Sequence, residues 1–201
     1  MRRLVILVVA VMLCGCLDKI DLNSTISKYM HDFYSKLNNY SRLNNTDLDN
    51  EIILNVGESA EYEGINVTVE KVWFCKDLKY FSSFYPLDRY QGVAPEGYQY
   101  MVIYVKIVNN GNRTLYTTAH DFIVVDNKNR IYSYNVLTHA FENALSLKEL
   151  KRGDSNEGII VFEVPENCSV YKIAYCFNSL ADIRSFFKIF RSKWAIWVVE
   201  R

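Results

Sequence analysis

The spacing of apolar residues changes twice along this chain. Between residues 22 and 40, apolar side chains recur at three- and four-residue steps, as they do on one face of a helix: Leu22, Ile26, Tyr29, Met30, Phe33, Leu37 and Tyr40. This spacing predicts an amphipathic helix over about residues 24–42. We expect its apolar face to pack against the rest of the protein, because few cations accompany it; contact with a membrane or a partner is the alternative.

From Glu51 onward the spacing becomes two residues, which is typical of strands. Short runs rich in Val, Ile and Tyr alternate with polar turns, and residues 122–125 and 131–134 flank a polar tip that predicts a hairpin. No helical pattern alternates with these strands, which argues against a parallel α/β sheet. The region 51–177 is therefore predicted to be an antiparallel β-sandwich.

Residues 178–201 form a basic and aromatic extension in which helical spacing returns before a final apolar run. Leu180, Ile183, Phe186, Phe187, Phe190 and Trp194 follow that spacing, and Arg184, Lys188, Arg191 and Lys193 lie among them. Residues 195–199 could form a strand. We expect the extension to cover the sandwich; interleaved aromatic and basic residues also suit a membrane interface, which is the alternative.

The N-terminus carries a short apolar run that ends on two cysteines. Arg2 and Arg3 precede about ten apolar residues, roughly half the length that crosses a bilayer. Residues 13–16, Leu-Cys-Gly-Cys, resemble the lipobox of lipoprotein signal peptides, and this resemblance implies a signal peptide over 1–15 and a lipid thioether on Cys16. An ordinary cleaved signal peptide and an uncleaved anchor are the alternatives. Two acyl or ether chains would hold the protein on the membrane stably, and residues 16–50 would comprise the lipid-anchor segment and the amphipathic helix.

Composition excludes some functions and leaves others open. The formal net charge is zero and no basic stripe is present, so nucleic-acid binding is not expected. His31, His120 and His139 show no metal-ligand spacing, and no nucleophile elbow or phosphate-binding glycine loop is found. We therefore expect no catalytic residue, no metal and no cofactor, and a protein that is not an enzyme.

Export changes the interpretation of the cysteines and asparagines. Cys75, Cys168 and Cys176 remain in the mature chain, and we favour a disulfide between Cys75 and Cys176; pairing of Cys168 with Cys176, or three free thiols, is the alternative. Several Asn-x-Ser/Thr triplets are present. Asn112 is the preferred glycosylation candidate, because it follows a strand in a turn.

The connection from Cys75 to Gly97 is long and rich in rings: Tyr80, Phe81, Phe84, Tyr85 and Tyr90. A connection of this length is usually functional or folded on itself. Aromatic side chains supply large contact area at low entropic cost, so this loop is a candidate partner-binding surface. Packing of the rings against the edge of the sandwich is the equally weighted alternative.

Five stretches together resemble a known family. They are Gly57-Glu58, residues 65–69, the run 97–111 ending in Asn-Asn-Gly, residues 122–126, and Gly153 followed by 158–165 ending in Phe-Glu-Val-Pro. They are similar to the telokin-like, immunoglobulin-fold domain of unknown function found in secreted prokaryotic lipoproteins. The resemblance covers about residues 51–177 and implies an immunoglobulin-like sandwich. It brings no catalytic residues.

These observations predict a lipoprotein on the extracytoplasmic face of the cell membrane. Cys16 would attach it to membrane lipid, and its immunoglobulin-like domain would act as a non-enzymatic binding or structural module toward a protein partner at the cell surface. An accessory subunit of a membrane complex, docking through the N-terminal helix and the C-terminal extension, is the alternative.

Overall fold

The computed structural model describes residues 51–86, 92–177 and 193–201. The chain divides into two compact units, Met1–Leu43 and Asn44–Arg201, and every described residue belongs to the second. That unit contains eleven described strands: β1 Glu51–Asn55, β2 Ser59–Tyr62, β3 Ile65–Cys75, β4 Tyr98–Asn109, β5 Leu115–Thr117, β6 Phe122–Asp126, β7 Ile131–Tyr132, β8 Lys148–Leu150, β9 Ser155–Pro165, β10 Val170–Cys176 and β11 Trp194–Glu200. Three short 3₁₀ turns accompany them, at Leu78–Tyr80, Ala119–Asp121 and Val136–Ala140.

The strands form a β-sandwich, as the alternating pattern predicts. One sheet has the order β1-β11-β10-β6-β7 and the other has the order β2-β3-β4-β9, while β5 and β8 form a separate pair. Neighbouring strands are antiparallel with one exception, because β1 and β11 run parallel, with Glu51 beside Trp194. The prediction of a wholly antiparallel sandwich is therefore wrong at this pair.

The end of the chain is part of the sandwich. β11 lies between β1 and β10, so the sandwich predicted over 51–177 extends to Glu200. Trp194 begins this strand, which corrects its assignment to a helical pattern and confirms the predicted strand over 195–199. The predicted helix over 24–42 and the helical spacing of residues 178–192 lie outside the described residues. Among the described ranges, no helix is long and apolar enough to cross a bilayer.

The main core lies between the two sheets. Alternate residues of β4, from Met101 to Ile107, face alternate residues of β10 and β11, and all are nearly or fully buried. Trp197 is fully buried and its Nε1 donates to the carbonyl of Glu58 at 2.9 Å. Tyr171 is also fully buried and donates its hydroxyl to the Pro165 carbonyl. The polar atoms of these large rings are thus satisfied inside the core.

The Asn-Asn-Gly sequence after β4 has a specific structural role. Asn109 is fully buried, and its side-chain amide donates to the carbonyls of Arg113 at 2.8 Å and Leu150 at 2.9 Å. Gly111 passes so close to the β2–β3 turn that a Cβ there would lie 2.5 Å from the Glu63 carbonyl oxygen. A side chain at 111 would therefore separate two turns at this end of the sandwich.

The predicted hairpin is confirmed as β6–β7. Asp126 organises its tip by accepting hydrogen bonds from the backbone of Lys128 and Arg130 and from the Tyr132 hydroxyl, at 2.8–2.9 Å. Burial would raise the pKa of Asp126, but these bonds and the Arg130 side chain outweigh burial and lower it.

Candidate functional site

A second apolar cluster lies on the outer face of the four-stranded sheet. Tyr100 and Val102 of β4 and Ile159 and Val161 of β9 supply its floor. Leu78, Phe84, Ala94, Leu137, Ala140 and Phe141 cover that floor from two connecting segments. We call residues 77–86, 92–95 and 135–145 the aromatic cover. The long loop singled out in the sequence supplies its first two stretches.

Backbone hydrogen bonds bring the two described stretches of the loop together. Leu78 N–H donates to the Gly92 carbonyl and Ala94 N–H donates to the Lys76 carbonyl, both at 2.8 Å. The Asp77 carboxylate accepts from the backbone of Lys79 at 2.9 Å and so begins the 3₁₀ turn that buries Leu78. The described part of the loop is therefore folded on the sheet, which agrees with the predicted alternative that its rings pack against the sandwich.

Ring contacts fix the cover to the sheet. The Phe84 and Phe141 ring centroids are 5.3 Å apart, and Phe81 lies 5.6 Å from Phe141 in an edge-to-face arrangement. Phe81 also meets Trp73 of β3 at 5.7 Å, nearly perpendicular. The two segments of the cover are joined further because Tyr85 N–H donates to the Ala140 carbonyl at 2.8 Å.

Residues 135–145 of the cover protect the edge of β9. Asn135 N–H donates to the Val161 carbonyl, and Ile159 N–H donates to the Asn143 carbonyl at 2.8 Å. Gly158 permits this approach, because a Cβ on it would lie 2.6 Å from the backbone nitrogen of Leu145. The backbone of the cover therefore supplies hydrogen-bond partners to backbone groups on the open edge of β9.

The five predicted binding residues differ in how far their side chains are exposed. Phe84 is only 6% exposed and Phe81 is half-buried, so these two are packing residues and the binding role predicted for Phe84 is wrong. Tyr80 is 85% exposed and Tyr85 is 60% exposed, which leaves their rings accessible. Tyr90 lies outside the described residues.

Three exposed apolar residues beside them were not identified from sequence. Trp73 is 37% exposed, Val93 is 57% exposed and Val136 is 50% exposed. Trp73 points outward because β3 changes register between Val69 and Lys71, which moves every later residue to the opposite face. Only recognition of that bulge in the alternating pattern could have identified Trp73. We call Trp73, Tyr80, Tyr85, Val93 and Val136 the exposed aromatic patch.

The cysteines do not pair as predicted. In the described parts of the chain, none of Cys75, Cys168 and Cys176 forms a disulfide bond. Cys75 lies under the aromatic cover, on the outer face of the four-stranded sheet, whereas Cys176 is in β10 of the other sheet and is flanked by the inward-facing Tyr175 and Phe177. The main core therefore separates the two side chains. Burial raises the pKa of Cys75 to about 11, which keeps its thiol protonated at neutral pH.

Two histidines meet around one tyrosine. The Tyr134 hydroxyl and His120 Nε2 are 3.0 Å apart, and the His139 ring centroid lies 5.8 Å from that of Tyr134. Nothing in the spacing of His120 and His139 predicts this convergence. In the parts of the chain that the structure describes, no three His, Cys, Asp or Glu residues are placed to hold a metal ion.

Asn112 lies in an exposed turn, and its side-chain oxygen accepts from Arg152 at 3.2 Å. Its glycosylation stays a prediction. His31 and the predicted lipid acceptor Cys16 lie outside the described residues.

Comparison with known proteins adds a family and a fold. A family model described as "Domain of unknown function (DUF4352)" matches residues 54–182, more than half of the chain. Among solved structures, ycdA of Bacillus subtilis, a proposed lipoprotein, matches with 16% identity and a TM-score of 0.50, covering 71% of this chain and 38% of that one. A functionally unknown Listeria monocytogenes protein matches with 11% identity and a TM-score of 0.51, covering 73% of this chain and 82% of that one.

The chain spans well under half the length of the Bacillus subtilis protein. At these identities the likeness shows the fold alone. No curated protein matches the chain.

Proposed function

This chain belongs to the DUF4352 family, and we propose that it is a non-enzymatic extracytoplasmic lipoprotein that binds a protein partner through its exposed aromatic patch. Lipid on Cys16 attaches it to the membrane, and an immunoglobulin-like sandwich presents the patch. The name of the Bacillus subtilis relative, a proposed lipoprotein, agrees with the lipobox-like sequence at residues 13–16.

The observation that carries the binding proposal is the division of the cover into buried and exposed rings. Phe84 and Phe141 are nearly buried, while Tyr80 and Tyr85, each next to a packed phenylalanine in sequence, remain exposed. The folded cover fixes the backbone at both tyrosines, and an aromatic side chain has few rotatable bonds, so little conformational entropy is lost on binding. A tyrosine also combines apolar area with a hydroxyl that can form a hydrogen bond. Tyrosine and tryptophan are also the residue types enriched at binding hot spots.

The chemistry of the nearby groups supports a binding role over a catalytic one. Cys75 lies beneath the cover with its pKa raised by burial to about 11, which is unsuitable for a nucleophile at neutral pH. Tyr100, in the floor, also has its pKa raised by burial, to about 12.

Anchoring is tested by membrane fractionation of Cys16→Ser, with Cys14→Ser as the matched control. We expect Cys16→Ser to leave the membrane fraction and to lose a lipid-sized mass from its mature N-terminal peptide. Cys14→Ser should stay on the membrane. Unchanged membrane retention of Cys16→Ser would contradict lipid anchoring.

Binding is tested by photo-crosslinking on intact cells with a photoreactive phenylalanine analogue at position 80 or 85. Tyr116 is the control position, because it is 53% exposed but lies in β5, outside the cover. We expect a discrete crosslinked product from positions 80 and 85, and its loss when Trp73→Ala is added. Equal crosslinking from position 116, or no product from positions 80 and 85, would contradict the proposed surface.

A further inference from the structure

Strand pairing brings distant parts of the chain to one end of the sandwich. Glu51, the first residue of β1, pairs with Trp194, and Trp194 pairs on its other side with Cys176. Phe177 N–H also donates to the Lys193 carbonyl at 3.1 Å. The chain that leads from Cys16 therefore enters the sandwich where β10 ends and β11 begins.

Three turns belong to the same end. Arg113 Nη2 donates to the Phe177 carbonyl at 3.0 Å, and Asn110 N–H donates to the Gly64 carbonyl at 2.7 Å. Gly153 N–H donates to the Asn109 carbonyl at 2.6 Å. We call residues 63–64, 110–113, 151–154, 177 and 193–194 the entry end.

We propose that the entry end faces the membrane and contacts phospholipid headgroups, an orientation that rests on the proposed lipid anchor at Cys16. β1 and β11 are parallel, so residue 51, which follows the segment from Cys16 in sequence, and residues 177 and 193, which flank the stretch 178–192, all lie at this end. The sequence of that stretch carries Arg184, Lys188 and Arg191 between phenylalanines, the combination that suits a membrane interface.

The charged groups of the entry end fit an anionic surface. Its cations are Arg113, Lys151, Arg152 and Lys193, its carboxylates are Glu63 and Asp154, and Glu51 lies beside it, paired with Trp194. Glu63 is neutralised by Arg113 at 3.7 Å, and Asp154 caps its own turn by accepting from Lys151 N–H at 2.9 Å. The exposed side chains of Lys151 and of Arg152, which also donates to the Asn112 side chain at 3.2 Å, lie where phosphate groups can reach them.

This orientation directs the opposite end away from the lipid. β10 begins there, where Tyr171 pairs with Asp126 of the β6–β7 hairpin, and Lys128 lies at that hairpin's exposed tip. Trp73 and Cys75, near the end of β3, also lie away from the entry end, because β3 begins beside Asn109. The exposed aromatic patch would then be available to a partner outside the cell.

The tryptophans allow a direct test, because the sequence contains three and the structure places them in different surroundings. Trp194 lies at the entry end and is half-buried, Trp73 lies in the patch, and Trp197 is fully buried. Mature lipidated protein would be reconstituted into vesicles of brominated phosphatidylcholine and phosphatidylglycerol, whose bromines quench nearby indoles. In Trp73→Phe the quenching signal comes from Trp194, and in Trp194→Phe it comes from Trp73. Trp197 is present in both variants and contributes equally to both.

We expect Trp194 emission to fall on brominated vesicles and Trp73 emission to stay unchanged. Quenching of Trp73, or of neither residue, would overturn the orientation. Flotation of the same samples reports on anchoring separately: protein that does not float contradicts the lipid anchor, whereas protein that floats without Trp194 quenching contradicts only the orientation.

A second measurement uses the unsubstituted protein in case Trp194→Phe fails to fold. A membrane-impermeant amine reagent would be applied to vesicle-bound and detergent-solubilised protein, and labelling of Lys151 and Lys128 compared by peptide mass. We expect vesicles to reduce labelling of Lys151 and to leave Lys128 unchanged. Equal labelling of Lys151 in both conditions would overturn the proposal.

Discussion

The two apolar clusters of this protein use similar rings in different ways. Between the sheets, Trp197, Tyr171 and Tyr175 are wholly enclosed. On the outer face of the four-stranded sheet, Phe84 and Phe141 are nearly enclosed, while Tyr80 and Tyr85 of the same cover reach solvent. We infer that the inner cluster holds the two sheets together, whereas the outer cluster shapes a surface.

The largest effect is expected in the inner cluster. Trp197→Ala removes a fully buried ring and leaves the Glu58 carbonyl without its indole donor, so we expect a loss of about 3–5 kcal/mol in the free energy of unfolding. Urea unfolding followed by circular dichroism measures it. Trp197→Phe, which keeps most of the volume, should lose less; equal losses would mean that the ring volume contributes little.

A smaller and more local effect is expected in the cover. Phe84→Ala leaves a gap over the floor of the outer cluster, and we expect it to cost about 1–3 kcal/mol. Trypsin should cut faster after Lys76 or Lys79, while amides of β10 keep their protection from hydrogen exchange. Phe84→Leu is the control. Loss of β10 protection in native buffer would show that the two clusters unfold together and would contradict separate roles for them.

Thiol labelling distinguishes the two clusters, because Cys75 packs against the outer cluster and Cys168 belongs to the inner one. With its pKa raised by burial to about 11, Cys75 is thiolate in about one part in a thousand at pH 8. We expect its alkylation rate to rise about tenfold per pH unit toward pH 11 and to increase in Phe84→Ala. Peptide masses after iodoacetamide treatment measure this.

Cys168 is the internal control, because it lies in the inner cluster and should react only when the sandwich unfolds. The raised pKa of Cys75 also makes the free energy of unfolding depend on pH. Ionisation of Cys75 removes stability as pH rises from its ordinary value of 9.0 toward 11, and it has no effect at neutral pH. Equal labelling of Cys75 and Cys168 at pH 8 would contradict the distinction.

The smallest effect on stability is expected at the exposed rings. Tyr80→Ala and Tyr85→Ala remove side chains that are 85% and 60% exposed, so each should change the free energy of unfolding by less than about 0.5 kcal/mol. Thermal unfolding measures this, with Tyr116→Ala as a matched exposed control. A loss above about 1 kcal/mol from either variant would place that tyrosine among the packing residues.

The local features of the sandwich can be predicted from the amino-acid sequence. Alternating Val, Ile and Tyr residues specify strands because one face of each strand must be buried, and the polar tip at 126–129 specifies a hairpin because Asp126 can accept the hydrogen bonds that reverse the chain. The Asn-Asn-Gly run similarly marks the end of β4. These signals depend on neighbours within a few residues.

The long-range features depend on contacts between residues that are far apart in the sequence. β11 inserts beside β1 in parallel, although well over a hundred residues separate the two strands, and no local pattern indicates which strand an apolar run will join. The bulge in β3 turned Trp73 outward, and packing against Phe141 buried Phe84 but left Tyr85 exposed. Hydrophobic burial is non-directional, so composition brings rings to a surface, while the shape of the partner surface decides which of them it encloses.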